Sequence, residues 1–395
     1  MMKDCRLVIV AALLTLSPTL AGAVDQPDPI SFEAGPLGTL QLSGGADGFS
    51  YGLTGTGDGL NKGLLGTSTS YGVQFLNGLV KLEKPDGLIQ FTIEAGAVNS
   101  LTLGTRPKPP AVQKWSTGPV RSAYLTVAPT PNLTISAGQI GSLEGYESGI
   151  DWKNFNMMTT AIWDVENAQS VGVNVTYTYG PFTGIVELSD GFDTNVWNYL
   201  QLSAGYSIND TNNITVFGAT NLGTTGLGAK FYGNATRPFS ASTVAAAGAA
   251  NLVNSSVIGG YYVLTLGNLT IVPEAQYVWS TKNAKVGLTG YSSHFGAALF
   301  ANYQFGSSPF SLGGWLEYFT SNGPETWFLN PGAQGWGMVI GPTWSPEPTK
   351  KHLFVRGEVG LLHLTNVGAP GSVAYGSAGT GRNQATFLAE AGVLF

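Results

Sequence analysis

Charge is scarce in this sequence. Of 395 residues, 18 are Lys or Arg and 24 are Asp or Glu, 11% together, where a soluble globular protein carries roughly 25%. A soluble domain of this size needs a charged exterior, and a disordered chain needs few apolar residues and a high net charge. A hydrophobic share of 43% argues against both. Long hydrophobic runs are missing as well. The one sustained run, Leu7 to Leu16, is too short for a membrane-spanning helix of about 20 residues. Cysteine is limited to Cys5 and histidine to His294, His352 and His363, which leaves little material for disulfides or metal sites.

The N-terminus reads as a secretory signal. Lys3 and Arg6 make a basic start, Leu7 to Leu16 the apolar stretch, and Ala21-Gly22-Ala23 a small-residue cleavage site. Residues 1–23 are therefore expected to be removed after Ala23. Cys5 leaves with them, so the exported chain has no thiol for a disulfide or a zinc site. No lipobox-like Leu-x-x-Cys stands at the cleavage site, which argues against a lipoprotein. Losing Lys3, Arg6 and Asp4 changes 18 basic and 24 acidic side chains to 16 and 23, a net charge of -7. An acidic chain of this kind is a poor partner for nucleic acid.

What the sequence has in quantity is glycine, 55 residues, and period-two alternation. From Ser170 to Tyr179, Val171, Val173, Val175, Tyr177 and Tyr179 fall on one face, with Asn174, Thr176 and Thr178 on the other. Ile271, Ala275, Tyr277 and Trp279 likewise oppose Thr270, Glu274 and Gln276. The last segment sets Ala385, Phe387, Ala389, Ala391, Val393 and Phe395 against Thr386, Glu390 and Gly392. Segments of about 10 residues with one apolar and one polar face are the mark of a transmembrane β-barrel. A lectin-like soluble sandwich shares the alternation, so the connections supply a second test.

Bacterial barrels have short periplasmic turns, long outer loops and an even strand number. Counting back from a descending last strand, short connections fall at 345–351, 306–309, 267–268, 209–212, 180–181, 129–131 and 83–87. Long ones fall at 364–383, 321–334, 281–293, 222–256, 191–198, 142–167, 98–119 and 55–70. The two kinds alternate without a break. With Thr39 to Thr54 as one strand kinked at Gly44-Gly45 the count is 16; splitting it and adding Ile30 to Glu33 gives 18. The expected organisation is a short periplasmic segment at 24–37 and an all-β, antiparallel up-and-down barrel over 38–395. Tyr177, Tyr179, Tyr206, Tyr262, Tyr277, Trp279, Phe310 and Tyr318 lie near strand ends, where interfacial girdles or ordinary cross-strand pairs would place them.

Three stretches carry a family resemblance: Asn132-Leu-Thr-Ile-Ser-Ala-Gly-Gln-Ile-Gly-Ser-Leu-Glu-Gly-Tyr-Glu147, Pro273-Glu-Ala-Gln-Tyr-Val-Trp279 and Glu390-Ala-Gly-Val-Leu-Phe395. The sequence resembles the OmpL-like β-barrel porins of Gram-negative outer membranes, over nearly the whole exported chain. The resemblance implies porin-type transport and offers no catalytic residue to carry over. It also implies the usual surroundings: outer-membrane lipid and lipopolysaccharide, small hydrophilic solutes, and a barrel-assembly machinery that reads a C-terminal strand ending in Phe395. Porins are often trimers, and nothing in the sequence marks an interface for a homo-oligomer.

No cofactor is implied. The glycines of Gly55-Thr-Gly-Asp-Gly59 and Gly376-Ser-Ala-Gly-Thr-Gly381 lack the following Lys-Ser/Thr and helix of a phosphate cradle and read as loops. No set of His, Cys and carboxylates has the spacing of metal ligands. His294 follows Ser292-Ser293, the one place where a serine hydrolase could hide in an outer-membrane barrel, although serines are common enough here for chance adjacency.

Strand phase places Glu94, Glu187, Glu274, Glu317, Glu358 and Glu390 toward the lumen, with Lys81, Arg121 and Arg356. The physical reason is that a basic group facing lipid near mid-membrane costs about 2–4 kcal/mol. Arg356 and Glu358 share a face and can either pair or line a constriction. Six acids against three bases predict a mild cation preference. A bulge, for instance at Gly313-Gly314, would move some of these residues. The loop at 142–167 carries Glu144, Tyr146, Glu147, Asp151, Trp152, Lys153, Asp164 and Glu166. It either folds inward as a constriction or lies outside as a surface loop. The expectation is an outer-membrane porin for passive diffusion; the alternatives are a plugged structural or adhesive barrel and an outer-membrane hydrolase.

Overall fold

The structure is a computed structural model. It describes residue 24 and residues 26–107, 120–167, 169–191, 194, 196–224, 254–346 and 352–395. The signal sequence expected at 1–23 lies outside the described residues, as do parts of the connections at 98–119, 222–256 and 345–351.

Seventeen strands share one sheet. Sixteen of them form a closed antiparallel ring. The first eight are β1 Thr39–Leu53, β2 Tyr71–Lys84, β3 Ile89–Ala97, β4 Val120–Thr130, β5 Leu133–Gly141, β6 Gln169–Tyr179, β7 Phe182–Ser189 and β8 Tyr199–Asn209. The second eight are β9 Asn212–Asn221, β10 Ser256–Leu266, β11 Leu269–Ser280, β12 Ser292–Gln304, β13 Phe310–Asn322, β14 Gln334–Trp344, β15 Leu353–Asn366 and β16 Asn383–Leu394. Each pairs with its sequence neighbour, and β16 closes on β1 with Leu394 opposite Gly45 and Thr386 opposite Leu53. The remaining short strand, Ile30–Glu33, pairs with Thr39–Leu42 at the base of β1 and is exposed throughout. It adds nothing to the ring, so the count is 16 and not 18.

The alternation of short and long connections holds all the way round. Two-residue hairpins at Gly180-Pro181 and Gly267-Asn268 put Gly180 at φ 55° and Gly267 at φ 62°, the left-handed geometry that matches the twist of tight hairpins. β1 stays a single strand, with its irregularity between Ala46 and Gly48. Gly313 and Gly314 pair in register with Gly341 and Ile340, so no bulge interrupts that strand.

Side chains alternate as the patterning requires. Along β16, Phe387, Ala389, Ala391 and Val393 face out, while Gln384, Thr386, Leu388, Glu390 and Leu394 are buried inside. Aromatic residues cluster near both rims of the outer surface: Tyr177, Tyr179, Tyr206, Phe310 and Trp344 toward the tight turns, Tyr277, Trp279, Tyr291 and Trp336 toward the long loops. Rings at these depths bridge acyl chains and headgroups.

Candidate functional site: the barrel lumen

The loop at 142–167 folds into the barrel. Met157, Met158, Ala161, Ile162 and Val165 are buried in the interior cluster, on a loop that connects β5 to β6. Apolar side chains in this stretch have somewhere to go because the inner wall of β9–β16 carries a set of large apolar side chains among its polar ones. Phe217, Val257, Tyr261, Val272, Phe300, Trp315, Phe319 and Val339 all belong to that cluster. Glycines leave room for the contact. A Cβ at Gly313 would stand 2.6 Å from Phe155 O, and one at Gly296 would stand 2.4 Å from Ile162 Cγ1. Leu101 and Leu103 from the preceding long loop, and Trp327, Phe328 and Tyr375 from later ones, join the same cluster.

Buried loop backbone needs hydrogen-bond partners, and the wall carboxylates supply them. Glu358 accepts from the amides of Met157 (2.5 Å) and Met158 (3.0 Å). Glu317 accepts from the Ala161 amide at 2.7 Å, and Glu274 from that of Tyr146 at 3.0 Å. In the opposite sense, Trp315 Nε1 donates to Met158 O (2.9 Å) and Gln276 Nε2 to Ile162 O (2.8 Å). Three residues expected to face the lumen thus meet the loop, which hides them: Glu274, Glu317 and Glu358 are 4%, 0% and 3% exposed.

Inside the loop, Glu144 accepts from Asn167 N (2.9 Å) and from the Tyr199 hydroxyl (3.0 Å). Glu147 accepts from the amide and hydroxyl of Thr160, which caps the one-turn helix Ala161–Asp164. Burial pushes both carboxyls up to about 7, against the hydrogen bonds that hold them down. Asp151 and Trp152 sit at the far end of the loop. Trp152 packs with Val24, Leu79, Ile150, Phe354 and Leu394, and Asp151 accepts from Asn77 Nδ2 at 2.5 Å. Lys153 lies near the charges of β2–β4. Burial brings its ammonium down to about 8, against the attraction of Glu94 and with the repulsion of Lys81 and Arg121.

The wall of β2–β7 is of another kind. Its buried inward side chains include Thr92, Glu94, Ser122, Thr126, Ser136, Asn174, Thr183 and Glu187. Arg121 NH1 donates to Glu94 at 2.6 Å and Lys81 pairs with Glu83 at 2.7 Å; these charges keep partial exposure, with the Lys81 side chain 30% and that of Arg121 16% accessible. Glu187 is fully buried and accepts from Gln201 Nε2 at 2.9 Å. Arg356 is also buried, at 3.8 Å from Glu358 and 3.4 Å from Glu390, its cross-strand neighbour.

Sequence reasoning missed Asp47 and Asn77. Asn77 N and Nδ2 both donate to Asp47, at 2.9 and 3.3 Å. Asp47 lies at the irregularity in β1, where simple alternation cannot assign a face. Its only signal was an acidic residue set among small ones, Gly44-Gly-Ala-Asp-Gly48.

Among the described residues the histidines assemble no Ser-His-acid triad. His294 is buried and stacked on Phe319, with Nδ1 3.0 Å from Ser321 Oγ and no hydrogen-bond partner on Nε2 among the described residues. His352 meets Leu394 O and His363 meets Asn383 Oδ1.

A sixteen-strand barrel with an inward loop invites comparison with known channels. The sequence matches the family described as Putative beta-barrel porin-2, OmpL-like, over residues 39–395. The chain belongs to this family. Among solved structures it is similar to an anion-selective porin from Comamonas acidovorans (TM-score 0.57, 9% identity, 90% of this chain and 99% of that one). It is also similar to OmpT, an outer membrane protein of Vibrio cholerae (0.56, 11%, 91% and 98%), recorded elsewhere in a trimer form. The outer membrane channel DcaP of Acinetobacter baumannii is a third (0.55, 12%, 90% and 97%). At these identities the likeness is one of fold. No curated protein matches the chain in sequence. Family and fold make this OmpL-like porin a β-barrel of the bacterial outer membrane and point away from catalysis.

Proposed function

We propose that this barrel passes small hydrophilic solutes or ions by passive diffusion, with a mild preference for cations. The observation that carries the proposal is the polar wall of β2–β7, where Lys81, Glu83 and Arg121 keep partial exposure beside the inward loop. Solutes would pass between that wall and the loop without a cofactor or covalent step, because a polar lumen of this strand number lowers the barrier by hydration alone. The cation preference rests on the strand-phase count of inward charge, Glu94, Glu187, Glu274, Glu317, Glu358 and Glu390 against Lys81, Arg121 and Arg356. Because all six carboxylates are buried, they would act on the path through their field and not by contact, which is why the preference proposed is a mild one. The proposal includes export with cleavage after Ala23, insertion by the assembly machinery reading the strand that ends in Phe395, contact with lipopolysaccharide, and a homo-oligomer.

A second reading has its own observation. The loop residues Met158, Ala161 and Ile162 are 0% exposed, which suits a plugged barrel with a structural or adhesive role. Planar-bilayer recording of the refolded protein separates the two. Stable conductance steps and a reversal potential of cationic sign in a potassium chloride gradient are expected. Heat-modifiable insertion without any conductance favours the plug, and an anionic reversal potential defeats the cation preference.

A further inference from the structure

We propose that Asp47, Asp151 and Glu390 form a binding site for a hard divalent cation, with Ca²⁺ as its ligand class, that ties the tip of the inward loop to the seam between β16 and β1. The three carboxylates come from β1, the loop and β16, and one oxygen of each lies within 4.8 Å of the others. They are 4%, 4% and 2% exposed. Positions 47, 151 and 390 are far apart in the chain, so no spacing in the sequence could announce them.

Two further observations indicate that something is to be held there. First, Glu390 is buried with no hydrogen-bond donor to either oxygen, and Asp151 Oδ2 has none. Second, Arg356, 1% exposed, points into the group without hydrogen-bonding it. Its nitrogens stand 3.4 Å from Glu390, 3.7 Å from Asp151 and 3.8 Å from Glu358, and all three lack a hydrogen-bond partner. Three carboxylates, Asp151, Glu358 and Glu390, thus lie within 4 Å of one guanidinium without a hydrogen bond from it, and Asp47 adds a fourth negative charge nearby. Asn77 occupies both oxygens of Asp47 and Oδ1 of Asp151, which orients their remaining lone pairs and leaves Asp151 Oδ2 and the Glu390 pair for a ligand.

The ligand set is all oxygen, irregular and anionic. That suits Ca²⁺, which accepts six to eight oxygens in flexible geometry with water completing the shell, better than Mg²⁺ with its strict octahedron. Sulfur and imidazole, which would favour zinc, are absent from the group. Protons shared between the acids are the competing way to relieve the same repulsion. The inference stands apart from the transport reading, since ion binding is measured in detergent whether or not the pore conducts.

The test uses Tb³⁺ as a Ca²⁺ probe on protein refolded into nonionic detergent free of lipopolysaccharide, with emission sensitised through tryptophan. Trp152 follows Asp151 directly, and its ring lies 3.2 Å from the Cβ position of Gly45, so it is the expected donor. Saturable emission displaced by Ca²⁺ is expected, with apparent affinity at least ten-fold weaker in Asp151→Asn and Glu390→Gln and unchanged in Glu187→Gln. Heat-modifiable mobility checks that each variant folds. Should the carboxylate variants fail to fold, Trp152→Phe still locates the ion, because sensitised emission falls sharply only if the ion sits beside that ring. Absence of saturable emission, equal affinity in the folded carboxylate variants, or undiminished emission in Trp152→Phe overturns the proposal.

Discussion

The two arcs of this barrel wear the same coat and different linings. Outside, both β2–β7 and β9–β16 present Val, Leu, Ile and aromatic residues, for example Val73, Ile93 and Val186 on one and Leu299, Ile340 and Phe387 on the other. Inside, the first arc is chiefly threonine, serine, asparagine and paired charge, with Leu76 and Leu79 as exceptions, while the second sets Phe217, Val272, Phe300, Trp315 and Phe319 among buried polar groups such as Gln276, Glu317 and Arg356. The contrast shows that a barrel's inner face is not polar by rule. Where it meets protein it adds large apolar side chains to polar groups that bond buried backbone, and here the protein is its own loop. Carboxylates on the second arc have a changed role: instead of lining water, Glu274, Glu317 and Glu358 accept loop amides.

Removing the loop tests this contrast most strongly. Deleting residues 148–160 should expose the apolar arc to water and raise single-channel conductance several-fold; unchanged conductance would mean that the loop does not restrict the path. A single substitution should weaken the same seat. Glu358→Ala strips two buried amides, Met157 and Met158, of their acceptor, at a cost of about 1–3 kcal/mol for each group left unsatisfied. Amide exchange across 155–162 should quicken while the strands keep their protection, and equal protection in the variant would show that packing alone holds the loop.

The polar arc should answer differently. Arg121→Gln removes a partly exposed base that pairs with Glu94, so it should shift the reversal potential toward cations by a few millivolts and leave loop exchange alone. An effect on the loop as large as that of Glu358→Ala would erase the distinction between arcs. Acidity gives the smallest expected effect. The carboxyls of Glu144 and Glu147 sit at about 7 in the seated loop, whereas a loop released to water titrates near the ordinary value of about 4.3. The seated form therefore binds the extra protons, and its advantage is present at low pH and fades as pH rises through 7. Conductance should fall modestly between pH 7 and pH 5. A rise over that interval would reverse the sign.

How far the sequence disclosed this depends on which interactions wrote it. Strand phase and the order of turns were legible because each strand must satisfy lipid on one side, and Val171 to Tyr179 or Phe387 to Val393 carry that constraint locally. The choice of 16 over 18 was not legible because alternation marks Ile30–Glu33 as a strand without saying whether it joins the ring; it pairs with nearby Thr39–Leu42 at the base of β1 instead. The direction of the 142–167 loop was not legible, because its signal is divided. Its acids suit a surface as well as an interior, and what decides the matter is glycine room at positions 296 and 313 on strands far along the chain. Asp47 was lost for a sharper reason, a one-residue irregularity that cancels the parity used to assign every other inward side chain.

The loop also has a mechanical consequence. It is bonded to β2 through Asn77, to β8 through Tyr199 and Gln201, to β11 through Glu274, to β13 through Glu317 and to β15 through Glu358. A hollow sheet cylinder resists stretching along its hydrogen bonds yet can be squeezed oval at little cost. Here an internal strut spans that cylinder, so the bore should keep its cross-section when the surrounding bilayer thins, thickens or changes its lateral pressure.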